Sequence, residues 1–305
     1  MSIYDLLSDY TFQIVAFGAV LLGIQSGVLG SFCVLRRQSL LGDGVSHSAL
    51  AGVTMAFLLL GSKSIEALLA GAFISGIIAV LAINAIVRNS KIKFDSALAL
   101  VMSVMFGFGM AVLTYLQKTP NANQAGLKSF IFGQASTLLK EDVQLMFVTG
   151  IIVLFSVLLF WKEFKLLSFD KEYTQTSGFA PKKLDTLLSL LTVVAIVTGL
   201  QTVGVILMSA LLIAPAIAAR QWTNKLGFMV ILAAIFGGAA GLAGTVVSSL
   251  FDKMPTGPSI VVIISALAIL SMIFAPGRGL LAKQLENRRA KKLYRQEAGH
   301  NVTSN

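Results

Sequence analysis

The 305-residue chain is strongly apolar: 56% of its residues are hydrophobic, only 12% are charged, and the mean hydropathy is +0.83. A soluble domain carries about a quarter charged residues, so this composition excludes an ordinary soluble protein and predicts a membrane protein. The charged residues, whose net charge is +10, are clustered between apolar runs. The excess of positive charge therefore mainly indicates how the chain is oriented in the membrane and, secondarily, attraction to anionic lipid. A nucleic-acid role for the basic tail is disfavoured.

The amino-terminal segment is expected to stay in the mature protein. The first ten residues contain Asp5 and Asp9 but no Lys or Arg, and no small-residue cleavage motif follows them, so a cleavable signal peptide is not expected. The single cysteine, Cys33, lies in the first apolar run. An intramolecular disulfide framework or a cysteine metal cluster is therefore impossible.

Charge-free apolar runs recur along the chain, most of them near the roughly 20 residues that a spanning helix needs. They are too long and too uniformly apolar for barrel strands, so the spans are predicted to be helices whose backbone groups are paired internally. The predicted fold class is an all-α, polytopic transmembrane helical bundle of about nine spans. The spans are placed at 12–35, 46–62, 65–87, 96–116, 143–161, 184–201, 203–220, 226–250 and 258–276.

The run 186–219 can be one span or two. As a single helix it would be about 50 Å long against a hydrocarbon core of about 30 Å, and the stretch from Gly199 to Gly204 offers a flexible turn. With two spans, 19 of the 24 Lys and Arg residues fall on one side of the membrane. The positive-inside rule then predicts an external amino terminus and a cytoplasmic carboxyl terminus.

Two connections are longer than a simple turn. The external stretch 117–142 has turn residues followed by an apolar segment too short to span, which suggests a short re-entrant or interfacial helix or, equally, a surface loop. The cytoplasmic stretch 162–185 is typical of a short helix that Asp170 caps and that Gly178 and Pro181 end. Such a helix is a natural docking element for another subunit.

Asp43 and His47 are the chain's most informative ionisable residues, because they lie four positions apart at the start of an apolar segment. That spacing places both side chains on one helical face, and an ionisable residue in a membrane segment usually faces the bundle interior or a water-filled path. A carboxylate with an imidazole supplies part of a site for a divalent transition metal. The alternatives are a helix cap for Asp43 and a structural hydrogen bond for His47.

A third ligand for such a metal would come from elsewhere in the chain. Asp252 is the best candidate, because it ends the eighth predicted span before an irregular turn that contains two prolines and Gly257. The alternative is an ordinary external surface aspartate.

Four motifs together resemble a known family: "RRQSLLGDGVSHSALAGV", "LLSFDKEYTQTSGFAPKKLD", "GVILMSALLIAPAIAARQW" and "DKMPTGPSIVV". In order and spacing they resemble the membrane permease subunits of zinc, manganese and iron ABC importers, the ABC-3 type metal permeases. The likeness covers residues from about 10 to 280. It implies a permease domain over 1–280, with a coupling segment at about 162–185, followed by a basic cytoplasmic tail at 281–305.

The resemblance also implies roles and partners. Asp43 and His47 would meet the metal within the membrane, with Asp252 contributing. The partners would be a second permease subunit, two cytoplasmic ABC ATPase subunits and an extracellular or periplasmic metal-binding protein. The stretch "TPNANQAGLKSFIFGQAS" is most similar to a subgroup encoded beside a related permease, which favours a heterodimer over a homodimer.

Four residues of the resemblance fall in the cytoplasmic stretch. Phe169, Asp170, Glu172 and Gly178 match the pattern of the coupling helix that docks on the ATPase.

The chain departs from the family pattern at two points. "SALAGV" replaces a Leu-Pro-Gly found in many relatives, which should alter a helix kink. "DKMPTGP" has one extra residue before its proline, which makes Asp252 a weaker assignment than the Asp43 and His47 pair.

Energy for transport is expected to come from another chain, because no G-x-x-x-x-G-K-[ST] motif occurs, and no H-E-x-x-H or nucleophile elbow indicates an enzyme. The predicted function is therefore a multi-pass permease of the bacterial plasma membrane that imports a divalent metal and holds no permanent cofactor. Manganese is favoured, then zinc or iron. The alternative is an ion-gradient-driven secondary transporter in which Asp43 and His47 relay protons.

Overall fold

The computed structural model describes residues 9–61, 64–118, 138–251, 254–276 and 278–284, and for residues 201, 202 and 206 it describes the backbone alone. Within these ranges the chain is helical and contains no strand. Eleven helices have both ends in the described ranges: α1 (Tyr10–Leu35), α2 (Leu41–Leu60), α3 (Ile65–Asn89), α4 (Phe94–Gln117), α5 (Lys140–Leu159), α6 (Trp161–Phe169), α7 (Lys171–Thr176), α8 (Pro181–Val203), α9 (Val205–Trp222), α10 (Leu226–Leu250) and α11 (Thr256–Phe274).

Each of the nine predicted spans corresponds to one helix of this bundle. Over the described ranges, eight helices are long and apolar enough to cross a membrane. The remaining predicted span, 203–220, is α9, which is apolar but shorter, with 18 residues. The all-α, polytopic fold class is therefore confirmed.

The doubtful run 186–219 is broken at Gly204, as two spans require. Gly204 has φ of 84°, a conformation that favours glycine, and it separates α8 from α9. A Cβ placed on Gly199 would lie 2.7 Å from the sulfur of Met208. Because these positions would be about 13 Å apart in one continuous helix, the chain bends sharply here. The turn is tighter than predicted, since Gly199 stays within α8.

Among the described helices, α1 and α10 contact each other most extensively, and glycines permit this contact. A side chain at Gly23 would overlap the backbone carbonyl of Gly237, and one at Gly241 would overlap that of Ala19. Both helices carry glycines four residues apart, Gly23 with Gly27 and Gly237 with Gly241. Small residues at this spacing allow two helix backbones to meet in a membrane, where packing replaces the hydrophobic effect.

The stretch 162–185, which was predicted to be cytoplasmic, differs in detail from its prediction. It contains two short helices, α6 and α7, where one was predicted. Pro181 was predicted to end the short helix, but it begins α8 instead. At the first position of a helix the missing N–H of proline costs no hydrogen bond, and its fixed φ suits a helix. The proposed helix within 117–142 falls mainly outside the described residues.

Candidate metal site and coupling segment

The helix that carries Asp43 and His47 begins earlier than predicted. α2 starts at Leu41 instead of 46, with Leu40 as its N-cap and no side-chain cap. The early start is stabilised by bonds from the Leu41 N–H to the Gln38 carbonyl and from the Gly44 N–H to the Leu40 carbonyl. Asp43 thus lies in the first helical turn and is not the capping residue.

The structure brings the two predicted ligands together. His47 Nε2 lies 3.3 Å from Asp43 Oδ1, one turn apart on the same face of α2. Two ligand atoms that are each about 2.1 Å from one ion at a tetrahedral angle lie about 3.4 Å apart. The observed separation therefore suits two ligands of one divalent metal.

Both side chains remain accessible although they sit in a packed bundle. The exposed fraction is 34% for the Asp43 side chain and 26% for that of His47. The imidazole packs edge-on against Phe106 of α4, with ring centroids 5.0 Å apart and an interplanar angle of 88°. Its Nδ1 is buried and has no hydrogen-bond partner among the described residues. The aromatic contact sets the ring plane and leaves Nε2 turned to the carboxylate.

Glycines on both sides of Asp43 hold α2 close to its neighbours. A Cβ at Gly42 would lie 2.9 Å from Leu212 Cδ2 of α9, and one at Gly44 would lie 3.0 Å from Leu98 Cγ of α4. α2 also contacts α3 and α8. The pair is therefore fixed on a central helix of the bundle and not on a mobile loop.

No third ligand accompanies the pair in the part of the chain that the structure describes, where no group of three His, Cys, Asp or Glu side chains could hold a metal. The predicted third ligand, Asp252, lies outside the described residues. Its role stays a prediction.

The residues predicted to couple to the ATPase form a capped helical turn, as their sequence predicts. Asp170 is the N-cap of α7, and its Oδ1 accepts hydrogen bonds of 2.9 Å from the N–H groups of Glu172 and Tyr173. Gly178, with φ of 87°, ends the turn in the left-handed conformation that glycine favours. Glu172 is exposed in the first turn.

An aromatic surface around α7 was not predicted. Phe169 was assigned to the coupling segment, but Tyr173 and Phe179 were not; the three side chains are 58%, 57% and 38% exposed. Exposed aromatic side chains beside a charged residue are typical of an interface with another protein. The sequence feature that could have predicted this surface is the high proportion of aromatic residues in a short polar segment.

A buried ion pair connects the coupling segment to the start of α2. Arg36, in the connection between α1 and α2, pairs with Asp185 of α8, and their side chains are 1% and 15% exposed. Lys171 of α7 reaches the same carboxylate, with Nζ 3.9 Å from Asp185 Oδ2. The sequence indicates Arg36 only as one of the cations on the predicted cytoplasmic side, because charge alone does not reveal burial.

Burial changes the titration of these cations without discharging Arg36 at neutral pH. It lowers the pKa of Arg36 to about 10. Burial, reinforced by the positive charges of Arg36 and Arg88, also lowers the pKa of Lys171.

Hydrogen bonds also connect the amino-terminal end of α8 to α3. Arg88 Nη2 donates hydrogen bonds of 2.8 Å to the Lys182 carbonyl and to Thr186 Oγ1.

The aromatic side of the coupling segment is anchored to α1. Phe32 packs edge-on against Trp161 and Phe164 of α6, with ring centroids 5.9 and 6.0 Å apart. Phe32 and Phe164 are fully buried. α6 is therefore fixed in the bundle, whereas α7 leaves all its side chains except Thr174 exposed.

Comparison with known proteins gives consistent matches. Residues 8–275 match the ABC 3 transport family. The zinc transport system membrane protein TroC of Treponema pallidum (strain Nichols) is 49% identical over 292 residues, which cover 96% of this chain and 98% of that protein. The manganese transport system membrane protein MntC of Bacillus subtilis (strain 168) is 47% identical over 280 residues, covering 92% of this chain and 64% of that protein.

A solved structure agrees with the fold. The chain matches a structure of PsaBC from Streptococcus pneumoniae in complex with Fab, with a TM-score of 0.80 and 29% identity over 92% of this chain and 98% of that one. The resemblance stated from the four motifs is thereby confirmed. The chain belongs to the ABC 3 transport family, as a multi-pass permease of the plasma membrane.

Proposed function

We propose that this chain is the membrane-spanning subunit of an ATP-driven importer of a divalent transition metal, with manganese favoured and zinc or iron next. The observation that carries the proposal is the carboxylate and imidazole pair, 3.3 Å apart and partly exposed on a central helix. A relative named for zinc transport and one named for manganese transport both support a metal cargo. One imidazole with oxygen ligands suits all three metals.

The pair suits a transient site on the transport path. Metal delivered by an external binding protein enters the bundle, pauses at Asp43 and His47, and leaves towards the cytoplasm. A transporter must bind its cargo weakly in one state so that release is favourable. Two ligands from one helix, completed by Asp252 or a partner in one state only, would provide that difference in affinity.

Closure of the ATPases is proposed to reach the metal pair through α7 and α8. The exposed residues Phe169, Glu172 and Tyr173 dock on the ATPase, and Asp170 and Gly178 hold the shape of the turn. Lys171 and Asp185 pass the displacement to Arg36, which lies seven residues before Asp43. A buried pair is a firm link, because separating its charges leaves each without compensation.

The assembly proposed around this chain contains a second permease subunit, two ATPase subunits and an external metal-binding protein. A heterodimer of permeases is favoured over a homodimer. Support for a membrane-embedded partner comes from α4 and α5, whose outward side chains include Phe108 and Phe155 at 48% and 63% exposure. Lipid covers whatever part of that surface the partner leaves free.

The proposed orientation places the amino terminus outside and the tail in the cytoplasm, as the distribution of Lys and Arg predicts. A fluorescent protein fused after residue 305 should therefore fluoresce, and a periplasmic or external alkaline phosphatase fused there should be inactive. The reverse result would contradict the proposed cytoplasmic position of the tail.

The function is tested by reconstituting the chain with its ATPase and second permease in liposomes. Uptake of manganese, zinc and iron should require ATP and the external binding protein, and the preferred metal should also rescue growth of a deletion strain in depleted medium. Uptake by the permease without ATPase, driven by a proton or sodium gradient, would instead support the secondary transporter in which Asp43 and His47 relay protons.

A further inference from the structure

A polar cavity lies at one end of the bundle, and neither Asp43 nor His47 lines it. Its volume is about 400 Å³, and it is bounded by the connection between α9 and α10 and by the chain that leaves α11. Trp222, Lys225 and Arg278 line it, with the side-chain amides of Gln221 and Asn224 beside them. No acidic residue is among the lining residues.

No acidic side chain in the described part of the chain neutralises the positive charge of this cavity. Lys225 and Arg278 are exposed and form no ion pair there. α10 begins directly after Lys225, with no acidic residue in its first turn and no side-chain cap. The free N–H groups of a helix end add positive potential to that of the cations. The cavity therefore favours an anion, and the amides can donate further hydrogen bonds.

Exposed aromatic side chains lie within a few residues of the lining residues along the chain. Trp222 ends α9 and is 44% exposed, while Phe228 in the first turn of α10 and Phe274 at the end of α11 are each 61% exposed. Tryptophan is enriched at the plane where lipid headgroups meet the hydrocarbon core, and Trp222 lies at the end of a spanning helix. A lipid at this place would have cations for its headgroup and apolar rings close by for its chains.

We propose that this cavity is a specific site for an anionic phospholipid. The phosphate lies between Lys225 and Arg278 and accepts hydrogen bonds from the neighbouring amides. The acyl chains lie against Phe228 and Phe274. Basic pockets between spanning helices recognise anionic headgroups by the same combination of charge and adjoining apolar surface. The site is independent of the metal path and does not rest on the proposed function.

The test uses the full chain, purified in detergent, with its basic tail intact in every variant. Native mass spectrometry titrates phosphatidylglycerol or phosphatidylcholine of the same acyl chains against the wild type, Lys225→Gln, Arg278→Gln and the double variant. The matched control is Lys91→Gln/Lys93→Gln, which removes two exposed cations between α3 and α4. Thermal unfolding is measured in parallel with phosphatidylglycerol, with inorganic phosphate and with neither.

Phosphatidylglycerol should bind the wild type and the control equally. Each single cavity variant should weaken that binding about fivefold, and the double variant about thirtyfold. Phosphatidylcholine should bind weakly to all of them. Equal binding by the double variant and the control, or equal binding of the two lipids, would overturn the proposal. Stabilisation by inorganic phosphate as large as that by the lipid would also overturn it, in favour of a soluble anion site.

Discussion

Asp43 and His47 are the only ionisable side chains of α2. Placing a charged aspartate at the centre of a spanning helix costs about 2.5–3.5 kcal/mol on insertion scales. The structure reduces that cost by placing Asp43 in the first turn, where it is 34% exposed and one turn from an imidazole. A position that combines access, a paired ligand and tight glycine packing suits a binding role better than a purely structural one.

Removing either proposed ligand should stop transport without unfolding the chain. Asp43→Asn and His47→Ala are each expected to reduce metal uptake by the reconstituted importer to the level of empty liposomes, because α2 then offers the ion only one of its two proposed ligands. The amount of each variant in the membrane fraction and its recovery with the ATPase should match the wild type.

Asp95→Asn is the matched control, since Asp95 is an exposed aspartate in the first turn of α4. It should transport normally. Normal uptake by both Asp43→Asn and His47→Ala would refute the metal role of the pair.

The short helix α7 acts as a unit because its ends are held by Asp170 and Gly178 while its outward face carries Glu172 and Tyr173. Reversing the charge with Glu172→Lys, or removing the ring with Tyr173→Ala, should weaken co-purification of the ATPase by about tenfold. An interface residue of this kind is worth about 1–2 kcal/mol. Expression and monodispersity of the permease should not change.

Glu66→Lys tests whether any charge reversal has this effect, because Glu66 is an exposed glutamate in the first turn of α3. It should leave ATPase recovery intact. Undiminished recovery with both α7 variants would remove the basis for assigning this helix to coupling.

The connection between α7, α8 and the start of α2 depends on the buried pair of Arg36 and Asp185. Asp185→Asn leaves a buried guanidinium without its partner and is expected to cost about 3–5 kcal/mol of unfolding free energy. The double variant Arg36→Met/Asp185→Leu should recover most of that loss, because an apolar pair avoids the desolvation penalty.

The same double variant separates stability from coupling. Its thermal unfolding should be close to that of the wild type. If the ion pair transmits movement, the amount of metal transported per ATP hydrolysed will nevertheless fall several-fold. A stable double variant with an unchanged transport ratio would leave the pair with a structural role alone.

The bundle as a whole is held together where helix backbones touch, above all between α1 and α10. Gly23→Ala should lower the midpoint of thermal unfolding in detergent, since its methyl group would overlap the Gly237 carbonyl and force the helices apart. Overpacking of this kind costs about 1–3 kcal/mol.

Gly107→Ala provides the opposite case, because a Cβ at that position in α4 would meet no atom within 4 Å. It should leave the midpoint unchanged or raise it slightly, as alanine favours a helix by about 1 kcal/mol over glycine. Equal effects of the two substitutions would show that close approach of α1 and α10 does not limit stability.

Parts of the candidate site could be predicted from local spacing, and other parts could not. The contact of Asp43 with His47 follows from a separation of four residues in a helix, and the capping of α7 by Asp170 follows from local backbone chemistry. The contact of His47 with Phe106 joins positions 59 residues apart and has no local signal. The Arg36 and Asp185 pair, 149 positions apart, is hidden for the same reason.

The sequence by itself determined that this is an all-α membrane protein of about nine apolar spans, with a possible turn between Gly199 and Gly204, and it identified the permease family from four motifs. These features depend on composition, helical period and short-range chemistry, which are written in consecutive residues. Only the tertiary structure decided where α2 begins, which glycines bring helices together, and that Arg36 is buried against Asp185. Those outcomes depend on how segments that are distant in the sequence pack together, and the order of residues along the chain does not show that packing directly.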